Sequence, residues 1–284
     1  MDAAFGEMQE GVAARIDVPD AILQRLVIPV EPGLEIPAFL ARPEGEVKGL
    51  AIAVDDRGKE AIAAEPSFNR LLGEGWAVCG LDPRGIGELA TTQMGWVSAV
   101  SLLLGGNFVS RQACDMRRSA RALAASELFE GKPLGLYARG PNAALAATYL
   151  LAREARGRRL PVQWYVLQDG FVSYQQFLDR PRSIEQSFRL QSSSKERFSP
   201  YDREIPFHFF PFRVLSHFDL PQLLGESSAR GLIVNPIDGD WLPMSESDAR
   251  KLAPANVNVM VDGDPESSIL ELTRMPSASS APPR

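Results

Sequence analysis

Side chains able to do chemistry are few in this chain, and they are unevenly placed. There are two histidines, His208 and His217, and two cysteines, Cys79 and Cys114. Aspartates come in close pairs at Asp55 and Asp56, Asp238 and Asp240, and Asp262 and Asp264. Each pair follows an apolar run, and carboxylates converging there would offer oxygen ligands to a hard cation. Aspartates at strand ends are also ordinary turn residues, and that plainer reading predicts no metal. Ser173, Ser267 and Ser268 each stand shortly after an apolar run, where a hydroxyl could face a cleft, but none has a recognisable base beside it. Arg57 and Arg139 could line a cleft suited to anions, whereas Arg84 reads as one half of a structural ion pair. The cysteines fall inside a strand pattern and a helical pattern, so both read as small core residues. They make neither a disulfide framework nor a CxxC metal site.

The elements that must position these residues alternate. Leu26–Val30 and Glu35–Ala41 flank a Pro-Gly turn and predict a hairpin, placed at a sheet edge by its prolines. Gly49–Val54, Trp76–Asp82, Leu134–Ala138 and Val162–Leu167 are continuous apolar runs, as strands covered on both faces require. Helical spacing recurs over Phe68–Leu72, Ser110–Leu128 and Pro141–Ala155. Near the end, runs at 231–235 and 257–261 flank a helix around Ser245–Leu252. Strands alternating with helices predict a mostly parallel, doubly wound α/β sheet. Residues 169–228 interrupt the alternation with Phe-, Arg-, Gln- and Ser-rich sequence, including Pro-Phe-His-Phe-Phe-Pro-Phe at 206–212. Such an insertion is expected over the carboxyl edge of the sheet. Residues 1–24 carry only weak helical periodicity and read as an extension, and 275–284 as a disordered tail. One domain over 25–274 is therefore expected.

This order resembles the α/β-hydrolase family and, within it, the acetylxylan-esterase-related group. The residues that carry the resemblance are Asp82-Pro-Arg-Gly-Ile-Gly-Glu88, Phe218-Asp-Leu-Pro-Gln-Leu-Leu224 and Leu232-Ile-Val-Asn-Pro-Ile-Asp238, within roughly residues 25–262. The resemblance implies carboxyl-ester hydrolysis by a serine on a sharp strand-to-helix turn, a histidine and an acid. The matching turn reads Ala138-Arg-Gly-Pro-Asn-Ala143, so Gly140 stands at the nucleophile position. Pro141, which has no N–H, stands where the next residue would supply an oxyanion donor. The loop after the last strand, from Asp262 to Ser268, has no histidine. Where such esterases often carry His-Gly, the first loop reads Asp55-Asp56-Arg57-Gly58. Asp238 survives at the acid position. As structure, Gly-Pro is sensible, since glycine accepts a strained turn and proline suits the first helical position. The helix start at Pro141 and Asn142 would favour an anion.

Composition bounds the rest. The net charge of −6 excludes a nucleic-acid binder. No apolar stretch is long enough to span a membrane, and the N-terminus lacks a signal-peptide pattern, so a cytoplasmic location is expected. Two readings follow. One is a binding or assembly module on an esterase scaffold, with a small acyl or carbohydrate ligand, a complete hydrolase chain or a second copy of itself as partner, and no cofactor. The other is an active ester hydrolase of carbohydrate-deacetylase type with an unconventional site, in which Ser173 and Asp238 would act.

Overall fold

A computed structural model of the chain describes residues 4–6, 21–156, 160, 162–179, 209–211, 213–262 and 265–274. The chain opens with three antiparallel strands, β1 (Ala4–Gly6), β2 (Ala21–Glu31) and β3 (Leu34–Pro43). Gly33, at a φ of 77°, makes the turn between β2 and β3. The expected hairpin therefore forms, but one strand in from the edge, with β1 outside it. Residues 4–6 and 21–24, read as part of a helical extension, are extended instead. Pairing along β2 outweighs a weak local period there.

The parallel part follows with β4 (Gly49–Asp55), α1 (Lys59–Ala63), α2 (Pro66–Gly73) and β5 (Trp76–Leu81). Next come α3 (Met94–Leu103), α4 (Phe108–Ala124), β6 (Leu134–Arg139), α5 (Pro141–Ala155) and β7 (Val162–Gln168). After α6 (Gln175–Asp179) and α7 (Leu220–Gly225), the chain closes with β8 (Arg230–Val234), α8 (Glu246–Leu252), β9 (Val257–Met260) and α9 (Pro265–Arg274). One nine-stranded sheet runs β1-β2-β3-β5-β4-β6-β7-β8-β9. From β5 onward all neighbours are parallel.

Every residue of β4 and β5 is buried, because helices cover both faces. On one face Phe68, Leu71 and Leu72 of α2 and Ile269 and Leu272 of α9 pack over Trp76 and Trp164. On the other, α4, α5 and α7 set Val109, Met116, Leu145 and Leu224 against Ile52, Leu136 and Tyr165. Burying one such side chain contributes about 1.5–3 kcal/mol. α4 begins where Asn107 Oδ1 accepts a hydrogen bond from Ser110 N at 2.9 Å, two residues before the expected start. α3 lies in a stretch for which the spacing predicts no element.

The chain leaves β4 for β5 on one side and returns to β6 on the other. The carboxyl ends of β4 and β6 thus form the switch point of the sheet, where α/β folds open their ligand crevice. Asp55 to Arg57 and Arg139 to Asn142 are carried there.

Candidate functional site

Between β6 and α5 the chain turns on a single residue, Gly140. Its φ of 94° is one that side chains rarely adopt, and a β-carbon there would lie 2.5 Å from Asp56 Cγ. Glycine is thus required twice, by backbone conformation and by space. Asp56 is locked against this turn. Its N–H donates to the Arg139 carbonyl at 3.0 Å. Its carboxylate accepts from Asn142 N at 2.9 Å and Ala143 N at 2.7 Å. These N–H groups belong to the first turn of α5 and have no partner within the helix. The positive end of the helix dipole favours a carboxylate there. The anion expected at this helix start is the protein's own Asp56.

Beside it the arginines are already engaged. Arg57 grips Asp55 with two bonds, Nε to Oδ1 at 2.9 Å and a terminal nitrogen to Oδ2 at 2.7 Å. The same terminal nitrogen reaches Glu65 at 3.2 Å. Arg139 pairs with Glu65 as well, and its Nε donates to Asp169 at 3.0 Å. The hydrogen bond that the Arg57 guanidinium donates to Asp55 is the main reason it is held more basic than usual. For Arg139, burial pulls the basicity down, but Glu65, Tyr137 and Asp169 outweigh it and the net shift is upward. Arg57 and Arg139, expected to line an anion cleft, share this switch point with the carboxylates of Asp55, Asp56, Glu65 and Asp169. An oxyanion forming beside Gly140 would meet carboxylates in place of donors.

The remaining candidates lie apart from this cluster. Asp238 is buried, and its Oδ1 accepts from Asp240 N at 2.8 Å and Leu242 N at 3.0 Å, which makes it the organiser of its own turn. Ser173, expected to face a cleft, is instead buried. Its hydroxyl donates to Asp219 and accepts from Gln175 N at 2.9 Å. Asp219 also takes Tyr174 N at 2.6 Å and caps α7 through Leu220 N at 2.7 Å, with Gln222 closing a capping box. His217 is exposed. Ser267 and Ser268 fall within α9, while Asp264, His208 and the 275–284 tail lie outside the described residues. Of the aromatic insertion, Phe209 and Phe210 point inward. Phe209 is fully buried, with its ring centroid 5.8 Å from that of Phe171, and Phe210 lies 4.8 Å from Phe177. Both pack against the core. Among the described residues, no group of three or more His, Cys, Asp or Glu side chains could hold a metal ion.

The Asp82–Glu88 motif is structural here. Asp82 accepts from Lys59 N at 2.6 Å, Lys59 Nζ at 3.0 Å and Glu88 N at 3.0 Å, and Lys59 is itself buried. Arg84 forms the expected ion pair, a fork on Asp115 with two contacts of 2.7 Å. Glu65, Asp169 and Asp219 join the network without having been singled out as site residues. Glu65 stands directly before Pro66, and Asp169 directly follows β7, as any turn or cap residue would. Neither position signals a guanidinium partner.

The element order, the hairpin and the switch-point turn together define an α/β-hydrolase fold. Among solved structures, the chain is similar to an acetyl xylan esterase from Paenibacillus sp. R4, with 16% identity and a TM-score of 0.58 over 95% of this chain and 88% of that one. Acetyl xylan esterase 1 from Thermoanaerobacterium sp. JW/SL YS485 gives 18% identity and a TM-score of 0.56, covering 92% and 81% of the two chains. A 2,6-dihydroxy-pseudo-oxynicotine hydrolase gives 18% and 0.53, covering 89% and 67%. No protein-family model matches the sequence, and neither does any curated protein.

Proposed function

We propose that this chain is a non-hydrolytic protein of acetyl-xylan-esterase-like ancestry, in which the former catalytic turn has become a structural joint and the molecule serves as a binding or assembly module. The observation that carries the reading is the seat of Asp56. Its carboxylate takes the two N–H groups at the start of α5 and fills the space a side chain on residue 140 would need. An esterase needs at that place a nucleophile, a neighbouring N–H donor and room for a developing oxyanion. Gly140 offers no nucleophile and Pro141 no donor, and Asp56 fills the room with negative charge.

The alternative, an ester hydrolase using Ser173 and Asp238, is disfavoured by their surroundings. Ser173 Oγ is spent on Asp219 and Gln175, and the Asp238 carboxylate on its own turn. A fluorophosphonate probe, followed by peptide mapping, asks for any activated serine without a choice of substrate. The expected result is no labelled serine beside a labelled control esterase. A stoichiometric label on one serine would overturn the reading.

A further inference from the structure

Where α4, α5 and α7 meet, a cavity of about 610 Å³ opens. Its volume falls within the roughly 300–1,000 Å³ of small-molecule sites. α4 lends it Arg117. Tyr149, Arg153 and Arg156 follow at steps of four and three residues, so they share one side of α5 and its C-terminal cap. Phe218 and Leu223 add an apolar wall. The Tyr149 ring meets Phe218 edge-on, with centroids 5.9 Å apart, while its hydroxyl is engaged by that of Tyr174 at 3.3 Å. None of the described residues lining the cavity is acidic. By the 1.5 Å rise of a helix, Arg153 stands about 18 Å along α5 from Pro141, well away from the turn at Gly140.

The three arginines are not equally engaged. Arg156 is forked onto Glu226. Arg117 gives its Nε to Glu154, whose carboxylate also takes Arg121 and the Leu160 N–H. Arg153 pairs with no carboxylate among the described residues, and its Nη1 rests 3.6 Å from Cys114 Sγ, a weak acceptor. One positive charge is thus left over at the cavity of a chain whose net charge is −6. A single arginine on a solvated helix face is commonplace. This one borders a cavity with an aromatic wall, and the two features together define a ligand.

We propose that the cavity binds a small organic carboxylate with an apolar body. Arg153 takes the carboxylate, which its planar fork of donors matches in shape, and Tyr149, Phe218 and Leu223 take the body. An inorganic anion would leave the wall unused, and a neutral hydrocarbon would leave the guanidinium unpaired. The site goes beyond the non-hydrolytic reading and stands whether or not the chain cleaves esters.

Equilibrium dialysis of the full chain against naphthoate tests it, with naphthamide as the uncharged counterpart of the same shape. Naphthoate is expected to bind one site with a dissociation constant of about 1 mM or tighter, as a ligand of its size should. Naphthamide should bind about tenfold more weakly, and inorganic phosphate at equal concentration should not displace naphthoate. Arg153→Met should weaken naphthoate about tenfold and leave the melting point unchanged, since this side chain is exposed and holds no carboxylate. Phe218→Ala should weaken naphthoate and naphthamide alike, because it removes part of the wall that both use. No binding of naphthoate up to ~10 mM, equal affinity for naphthamide, displacement by phosphate, or binding indifferent to Arg153→Met would each overturn the proposal. These outcomes leave the non-hydrolytic reading in place, whereas a fluorophosphonate-labelled serine would overturn that reading and leave the carboxylate site.

Discussion

Replacing Asp56 by alanine asks how much of the molecule's stability rests on the former catalytic turn. The substitution removes two hydrogen bonds to a carboxylate, at 2.9 and 2.7 Å, each worth about 1.5–3 kcal/mol. Asp56 is only half-buried, so water can reach the freed N–H groups and recover part of that. A net loss of about 2–4 kcal/mol is expected, somewhat above the ~1 kcal/mol of an ordinary helix cap. At about 2–4 °C per kcal/mol for a chain approaching this size, the melting point should fall by roughly 4–16 °C. The vacated helix start should then bind small carboxylates. Acetate or formate at ten times its dissociation constant would restore about 1.4 kcal/mol, beyond any effect of the same salt on the unaltered chain. The geometry also predicts coupling. Gly140→Ser should be costly in the native background, where its β-carbon meets Asp56, and cheaper by at least ~1 kcal/mol beside Asp56→Ala. Thermal and urea unfolding of the four chains measure this directly. A loss under 0.5 kcal/mol for Asp56→Ala, or strict additivity with Gly140→Ser, would refute the idea that Asp56 plugs the turn.

Two further predictions concern the joints around it. Arg84→Met strands the buried Asp115 carboxylate and should cost about 3–5 kcal/mol at neutral pH. Burial already raises the Asp115 carboxyl against the pull of Arg84, and without the arginine it should rise further. An acid raised on folding stabilises fully below its unfolded pKa, about 3.9, and loses that contribution as pH climbs through the folded value. The deficit of Arg84→Met should therefore shrink as urea titrations move from pH 7 to pH 4, and a pH-independent deficit would count against the pairing. Asp219→Ala should lose about 2–3 kcal/mol, since the cap of α7 and the bond from Ser173 disappear together. Ser173→Ala should lose only about 1 kcal/mol, and equal losses in the two variants, read from thermal melts, would place the hub elsewhere.

Much of the architecture was legible because it is written in apolar runs. Gly49–Val54, Trp76–Leu81 and Leu134–Ala138 can be buried only as central strands, and all three are. The turn at Gly140–Pro141 was legible for the same local reason, since glycine and proline declare their backbone conformations. What the residues there do with their side chains was not. Asp55 and Asp56 are adjacent and chemically identical, yet one binds Arg57 two residues on and the other binds a helix start more than eighty residues away. Alternation of side chains and the placing of β4 beside β6 decide this, and both are properties of the assembled sheet. The same limit hid α3. Its spacing predicts no element, and only the packed structure reveals Ser98 and Ser101 inward and Trp96 and Leu103 outward. At the crevice and at α3 alike, local rules fail where the chain departs from ordinary burial: a carboxylate fills the place of a nucleophile, and an apolar face is left outside. Departures of this kind concentrate where a protein has a use beyond folding. At Gly140 the turn is held by Asp56, and the arginines beside it are engaged by Asp55, Glu65 and Asp169.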